Sequence, residues 1–262
     1  MSETLYDENF YAEQAPGSLT AAATVLPTLF WLLGAPPRSL VDVGCGIGTW
    51  LKQAQAMGVR EIVGLDGDYV PSNRLLINPS QFIASDLRGD FSSPLNRRFG
   101  MAMSLEVAEH LPADRAQNFV AQLASLSDLV LFSAAMPRQG GTGHVHENWA
   151  EYWALHFAML GYACFDPLRE LYWTEPKVPW WYAQNVLVFA RGEISAQLER
   201  FRAPFDRALT RIHPVGRLCR GGEPPLMGDP MAEVLYYQIL DRLWRAGKPV
   251  LPPLRPLPIS RG

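Results

Sequence analysis

The sequence predicts an α/β fold, a mostly parallel sheet with helices on both faces. Three observations carry this. Short apolar runs such as SLVDV, LVLFSA and NVLVFA have the form of strands buried on both sides. They alternate with stretches of helical periodicity, joined by short loops. The first of them runs into a glycine loop, VDVGCGIGTW, which opens a helix. With 262 residues, 48% hydrophobic and only 19% charged, the chain can bury a sizeable core, and wholesale disorder is excluded.

Residues 1–36 carry Tyr6, Phe10 and Tyr11, then an alanine- and leucine-rich run, SLTAAATVLPTLFWLL. Ser18 is the expected helix cap, and Gly34 with Pro36 and Pro37 the stop, giving an N-terminal helical flap. Its most apolar part, Ala21 to Leu33, reads as too short to span a bilayer and is interrupted by Pro27. Residues 37–191 form the core. Strands are expected at Ser39–Val43, Glu61–Leu65, Phe82–Ser85, Gly100–Leu105, Leu129–Ala134, Tyr162–Phe165 and Asn185–Ala190. Helices are expected over Ile47–Met57, Ala113–Leu126 and Trp149–Leu160. Residues 192–262 read as a C-terminal helical extension with helices at Glu193–Leu209 and near Met231–Arg245, ending in a proline-rich tail. No internal repeat is visible.

The balance of 23 Lys and Arg against 26 Asp and Glu argues against general nucleic-acid binding, which needs surplus positive charge. Cys45, Cys164 and Cys219 cannot form a paired framework, and no CxxC spacing points to structural zinc. The start, MSETLYDENFYAEQ, is acidic and lacks an apolar signal core. These features predict a soluble, cytoplasmic protein that does not associate with membranes.

In the glycine loop, Gly44 and Gly46 permit backbone approaches that side chains would block. A dinucleotide fingerprint requires G-x-G-x-x-G/A, but Thr49 follows Gly48; a P-loop is excluded because no Lys-Ser/Thr follows. Asp66 ends the second strand in GLDGD, placed to accept ribose hydroxyls, as it would for NAD too. Asp86 ends the third in ASDL, beside Leu87, placed to accept from an adenine amine. The alternative is that both acids simply cap helices. Adenosine with a compact amino-acid tail suits the set better than a dinucleotide. The G-x-G-x-G run with these acids resembles the first motifs of class I S-adenosylmethionine-dependent methyltransferases. Gly100–Leu111 (GMAMSLEVAEHL) resembles the family's fourth-strand motif. Ser133–Trp153 and Val178–Phe189 are similar to bacterial small-molecule and glycan-associated members. The resemblance covers roughly residues 5–190. It implies a Rossmann-like sheet of order 3-2-1-4-5-7-6, with NVLVFA as an inserted antiparallel strand 7. It also implies S-adenosylmethionine held by Tyr11, Asp42, Gly44, Gly46, Gly48, Asp66, Gly67, Asp86, Leu87 and Leu105.

Methyl transfer from a sulfonium is an in-line displacement, in which alignment supplies much of the rate. A hydroxyl acceptor must also lose a proton. Glu106, Glu109 and His110 follow the fourth strand, and His144 follows the fifth, so both segments converge at the carboxyl edge of the sheet. Two chemistries are open. His110 or His144 acts as a general base positioned by Glu106 or Glu109, which makes His110, His144 and Glu109 the candidate catalytic residues. Otherwise Glu106, Glu109, His110 and His144 bind a divalent metal, Mg, Mn or similar, that lowers the hydroxyl's pKa. Two carboxylates and two imidazoles suit Mn, Fe, Co, Ni or Zn at least as well as Mg. The Glu-x-x-Glu-His run with a later His resembles the metal site of small-RNA 3′-end 2′-O-methyltransferases, and a similar run occurs in ubiquinone-pathway O-methyltransferases. A purely structural role, with the glutamate capping a helix, is the third possibility.

His146 and Glu147 lie in a loop with Gly140, Gly141 and Gly143, either a mobile gate or a plain surface loop. Trp149, Tyr152 and Trp153 have the i, i+3, i+4 spacing of a core-facing helix stripe. Trp180, Trp181 and Tyr182, preceded by Pro176 and Pro179, have no helical spacing. With His146 they are the candidate acceptor-binding residues, their rings able to stack on a sugar or an aromatic. His156 and His213 read as ordinary surface or core histidines. The expected activity is O-methylation of a small molecule or sugar/glycan intermediate, with S-adenosylhomocysteine as co-product. The alternatives are small-molecule N-methylation and a non-catalytic S-adenosylmethionine-binding module working through its C-terminal helices. A nicotinamide oxidoreductase is disfavoured by Thr49.

Overall fold

The computed structural model describes residues 8–203 and 209–213. Seven strands form one sheet: β1 (Ser39–Val43), β2 (Glu61–Asp66), β3 (Phe82–Ala84), β4 (Met101–Leu105), β5 (Leu129–Ser133), β6 (Ala163–Phe165) and β7 (Leu187–Ala190). Their order is β3-β2-β1-β4-β5-β7-β6. The sheet is parallel from β3 through β5, and β7 runs antiparallel to both β5 and β6. Order, insertion and the reversed strand all agree with expectation. Each strand lies within two residues of its expected bounds.

The strands read as continuous apolar runs because both faces are covered. Along β1, β4 and β5 the side chains alternate at the strand period of two. Leu40, Met101, Met103, Leu129 and Leu131 share a core with the helices α1 (Glu8–Leu32) and α2 (Thr49–Ala56). Val41, Val43, Ala102, Val130 and Phe132 pack on the other face with α3 (Ala116–Leu126) and α4 (Ala150–Ala158). Phe157 of α4 lies flat on Phe189 of β7, ring centroids 4.0 Å apart.

Two elements differ from expectation. The first helix does not start at Ser18; α1 runs through both Pro16 and Pro27. A proline inside a helix costs about 3 kcal/mol, and here burial offsets it: Ala21, Ala22, Val25, Leu26, Leu29 and Phe30 form its inner stripe. The span Ala15–Leu32 is long and apolar enough to cross a membrane by length and composition, which corrects the shorter estimate, though a third of it is buried in this core. Nor does one helix cover Glu193–Leu209. The chain forms α7 (Glu193–Gln197) and a 3₁₀ turn (Glu199–Phe201), then pairs with the edge of β6. That edge presents unpaired backbone groups, and Asp166 and Ala203 donate N–H bonds across it to Phe201 and Cys164. The helix expected near Met231–Arg245 lies outside the described residues, as does Tyr6.

Candidate active site

The carboxyl ends of β1, β2 and β4 surround the glycine loop. Gly44 has φ 85°, and a Cβ there would stand 2.3 Å from a Val107 methyl carbon. The loop can approach the turn after β4 only because that side chain is missing. The Gly46 N–H donates to Asp66 Oδ2 at 2.7 Å; Gly67 N–H and the Tyr69 hydroxyl donate to Oδ1 at 2.7 and 2.8 Å. Asp66 therefore ties β2 to the loop rather than capping a helix. Burial pushes its carboxyl up, opposed by these three bonds. Gly48 caps α2, in the left-handed region.

Asp42, on β1, is buried, and burial with the neighbouring Asp66 charge pushes its carboxyl up to about 8. Two acids beside a glycine loop suit a cofactor carrying an ammonium and a sulfonium, because a nearby cation favours their ionised forms. Asp86 is exposed and binds the Arg88 guanidinium through both oxygens at 2.9 and 3.0 Å, which holds its carboxyl below the usual range. Leu87 is half-buried, Leu105 is buried, and Tyr11 falls on α1. Tyr69 escaped the sequence reading; its only signal is an aromatic three residues past the acid in DGDY.

The turn after β4 separates the expected four-residue set. Glu106 sits in the left-handed region at φ 56°, its N–H shared between Ser133 O and Oγ at 3.0 and 3.1 Å. This conformation sends its carboxylate toward an amide cluster: Gln139 Nε2 donates at 2.8 Å and Asn185 Nδ2 at 3.1 and 3.2 Å. Gln184 joins through Gln139 Oε1 at 3.1 Å and Asn185 Oδ1 at 3.0 Å. Burial raises the Glu106 carboxyl, and the bonds from Asn185, Ser133 and Gln139 oppose the rise. Glu106 is thus a member of the amide cluster and stands outside the potential ligand group.

Among the described residues that group is Glu109, His110 and His144, with one ligand atom from each, all within 4.8 Å of one another. Glu109 is fully buried on a 3₁₀ turn (Ala108–His110), and neither carboxylate oxygen has a hydrogen-bond partner. Burial, then the Glu106 charge, pushes its carboxyl well above the usual range, against a lowering pull from the backbone N–H groups of Glu109 and Ala135. His144 Nε2 lies 4.0 Å from Glu109 Oε1, and the His110 and His144 rings meet edge-on with centroids 4.8 Å apart. His110 Nδ1 is 3.3 Å from Gly143 O. Burial, with the His144 ring beside it, lowers the His110 imidazole to about 4, so it is neutral at physiological pH.

The expected acceptor residues divide. His146 is buried: its Nε2 accepts from Asn148 Nδ2 at 2.9 Å, and its ring meets Tyr152 and Trp153 edge-on at 5.3 and 5.4 Å. It packs under α4 instead of facing the loop mouth. Trp180, Trp181 and Tyr182 form the first turn of a short helix, α6 (Trp180–Asn185), the second helix after α5 (Arg169–Tyr172) on this stretch. Tyr182 is a core residue, edge-on to Trp50 at 5.3 Å with its hydroxyl 3.2 Å from Ser18 Oγ. Trp181 packs half-buried against the same core, and Trp180 stays half-buried at its edge. In α4, Trp153 and Tyr152 face inward as the stripe predicts, while Trp149 is exposed at the N-cap. His213 is docked, its Nε2 2.5 Å from Trp173 O and its N–H donating to Gln184 at 2.8 Å.

No curated protein sequence matches the chain. An O-methyltransferase family protein from Burkholderia thailandensis shares the fold, at TM-score 0.50 and 11% identity over 71% of this chain; the chain spans 59% of that protein. Magnesium protoporphyrin IX methyltransferase from Synechocystis PCC 6803, solved with bound S-adenosylmethionine, aligns at TM-score 0.46 and 21% identity, covering 72% of this chain and 88% of that one. A family model described as "Methyltransferase domain" matches residues 11–174, well over half the chain. With that match, and with a sheet whose order and reversed seventh strand are those of the class I fold, the chain belongs to the S-adenosylmethionine-dependent methyltransferases.

Proposed function

We propose that this enzyme methylates a hydroxyl of a small molecule or glycan intermediate at the carboxyl edge of β4 and β5, with Glu109, His110 and His144 serving the acceptor. The observation that carries the reading is the Glu109 carboxyl, fully buried with both oxygens lacking partners and two imidazoles beside it. A buried polar group left unpaired costs about 1–3 kcal/mol, so a partner from outside the chain is expected there. One carboxylate and two imidazole nitrogens fit a divalent cation of the Mn or Zn kind. Such an ion, when bound, lowers the pKa of an acceptor hydroxyl and orients it. A bound cation would favour the ionised form of the Glu109 carboxyl, which would release its proton and supply the compensating charge, and the neutral ring of His110 keeps a lone pair available. The grip on S-adenosylmethionine falls to Asp42, Gly44, Gly46 and Asp66, with Asp86 and Leu87 at the adenine end. The slight acidic excess of the chain fits a small acceptor better than a nucleic acid.

A metal-free reading has an observation of its own: His144 Nδ1 lies 3.0 Å from Glu147 Oε1, the pairing that readies the other ring nitrogen as a general base. The test is turnover of labelled S-adenosylmethionine on a panel of hydroxyl- and amine-bearing small molecules and sugars. Label in hydroxyl compounds supports the reading; label in amines alone overturns it.

A further inference from the structure

The loop from Pro137 to Glu147 is stapled by one side chain. Glu147 Oε2 accepts the Arg138 N–H at 2.6 Å; its Oε1 accepts the Gly140 N–H at 2.7 Å and lies 3.0 Å from His144 Nδ1. The carboxylate is largely shielded, its side chain 19% exposed. Two backbone positions depend on this closure. Arg138 holds a left-handed φ of 66°, and its N–H goes to Glu147. Gly141, at φ 151°, leaves room for the imidazole: a Cβ there would stand 2.3 Å from His144 Nε2. The staple therefore fixes where the His144 ring lies and also how it is protonated. A carboxylate can only accept, so Nδ1 must carry the hydrogen, and the lone pair of the neutral ring is left on Nε2. Nε2 is the atom facing Glu109.

We propose that Glu147 is a positioning residue that sets the tautomer of His144 and closes the loop, so that the Nε2 lone pair is presented to Glu109 and His110. The role rests on the reading that His144 serves the acceptor, and it holds whether His144 binds a cation or acts as a base. Carboxylate partners of this kind orient metal-binding and basic histidines by the same means.

The test reads the apo protein by ¹⁵N–¹H correlation of its histidine rings at about pH 8, where an ordinary imidazole is neutral. In the wild type, His144 is expected as the Nδ1–H tautomer. Glu147→Gln can keep its oxygen on the Gly140 N–H and on Nδ1–H with its NH₂ turned against the Arg138 N–H, so the tautomer should hold while the loop closure weakens. Glu147→Ala should lose the preference. Co²⁺ titration is the second readout, with affinity expected to fall about 10–100-fold in both variants. A wild-type ring already in the Nε2–H form, or a tautomer unchanged in Glu147→Ala, overturns the proposal. A tautomer that shifts in a protein binding no Co²⁺ upholds the role of Glu147 and removes the metal from the proposed function instead.

Discussion

The Tyr69 hydroxyl donates to Asp66 Oδ1 at 2.8 Å, on the carboxylate that also holds the glycine loop through Gly46. In the proposed grip on S-adenosylmethionine, the phenol occupies an acceptor position of the Asp66 carboxylate that a ribose hydroxyl would need. Asp66→Ala should weaken S-adenosylhomocysteine binding by about 1.5–3 kcal/mol, the worth of a hydrogen bond to a charged group. Tyr69→Phe should leave it equal or tighter. Calorimetry measures both, and a large loss in Tyr69→Phe would make the phenol a ligand instead of a competitor.

Asp42 provides a pH signature. Its carboxyl is raised to about 8 in the fold against an ordinary value near 3.8, so between those values the folded state holds a proton that the unfolded state has released. Stability from this group is then full at low pH and is lost as pH rises toward 8, at up to about 1.4 kcal/mol per unit. Asp42→Asn should melt above the wild type at about pH 7, with the gap closing toward about pH 4. A gap independent of pH would show that Asp42 is ionised in the fold.

The aromatic turn of α6 should split by burial. Tyr182→Phe loses the bond to Ser18 and should cost about 0.5–1.5 kcal/mol of stability without touching acceptor kinetics. Trp180→Ala, at the half-exposed edge, should raise the acceptor KM and leave S-adenosylhomocysteine affinity alone. A fall in Tm with unchanged KM would place Trp180 with the core.

Asn185 is the amide that meets both Glu106 oxygens. Asn185→Ala leaves that buried carboxylate short of a partner and should destabilise the protein by about 1–3 kcal/mol. Thermal melting checks this; an unchanged Tm would mean that Gln139 and Ser133 satisfy Glu106 without Asn185.

The sheet was legible because its strands are buried on both faces, so apolar runs such as SLVDV and LVLFSA stand out without periodicity. The glycine loop and its tie to Asp66 were legible from their places at strand ends, whereas the Arg88 partner of Asp86 was not. The direction of Glu106 was not. It depends on a left-handed residue after β4 and on Gln139, Gln184 and Asn185, which the chain brings in from far along the sequence. Tyr182 looked available because its partner, Ser18, lies 164 residues away. The helical start expected at Ser18 failed because tertiary burial outweighed two prolines in α1, a case of packing overriding local propensity.

Central to this account is the Glu109, His110 and His144 group, and Mn²⁺ titration of the apo protein, followed by electron paramagnetic resonance, tests it most directly. The wild type should take up one ion per chain. Glu109→Gln, which fills the same buried space without charge, should take up none while binding S-adenosylhomocysteine as before. A wild type that leaves all the Mn²⁺ free, or a Glu109→Gln variant that binds it equally well, would contradict the account.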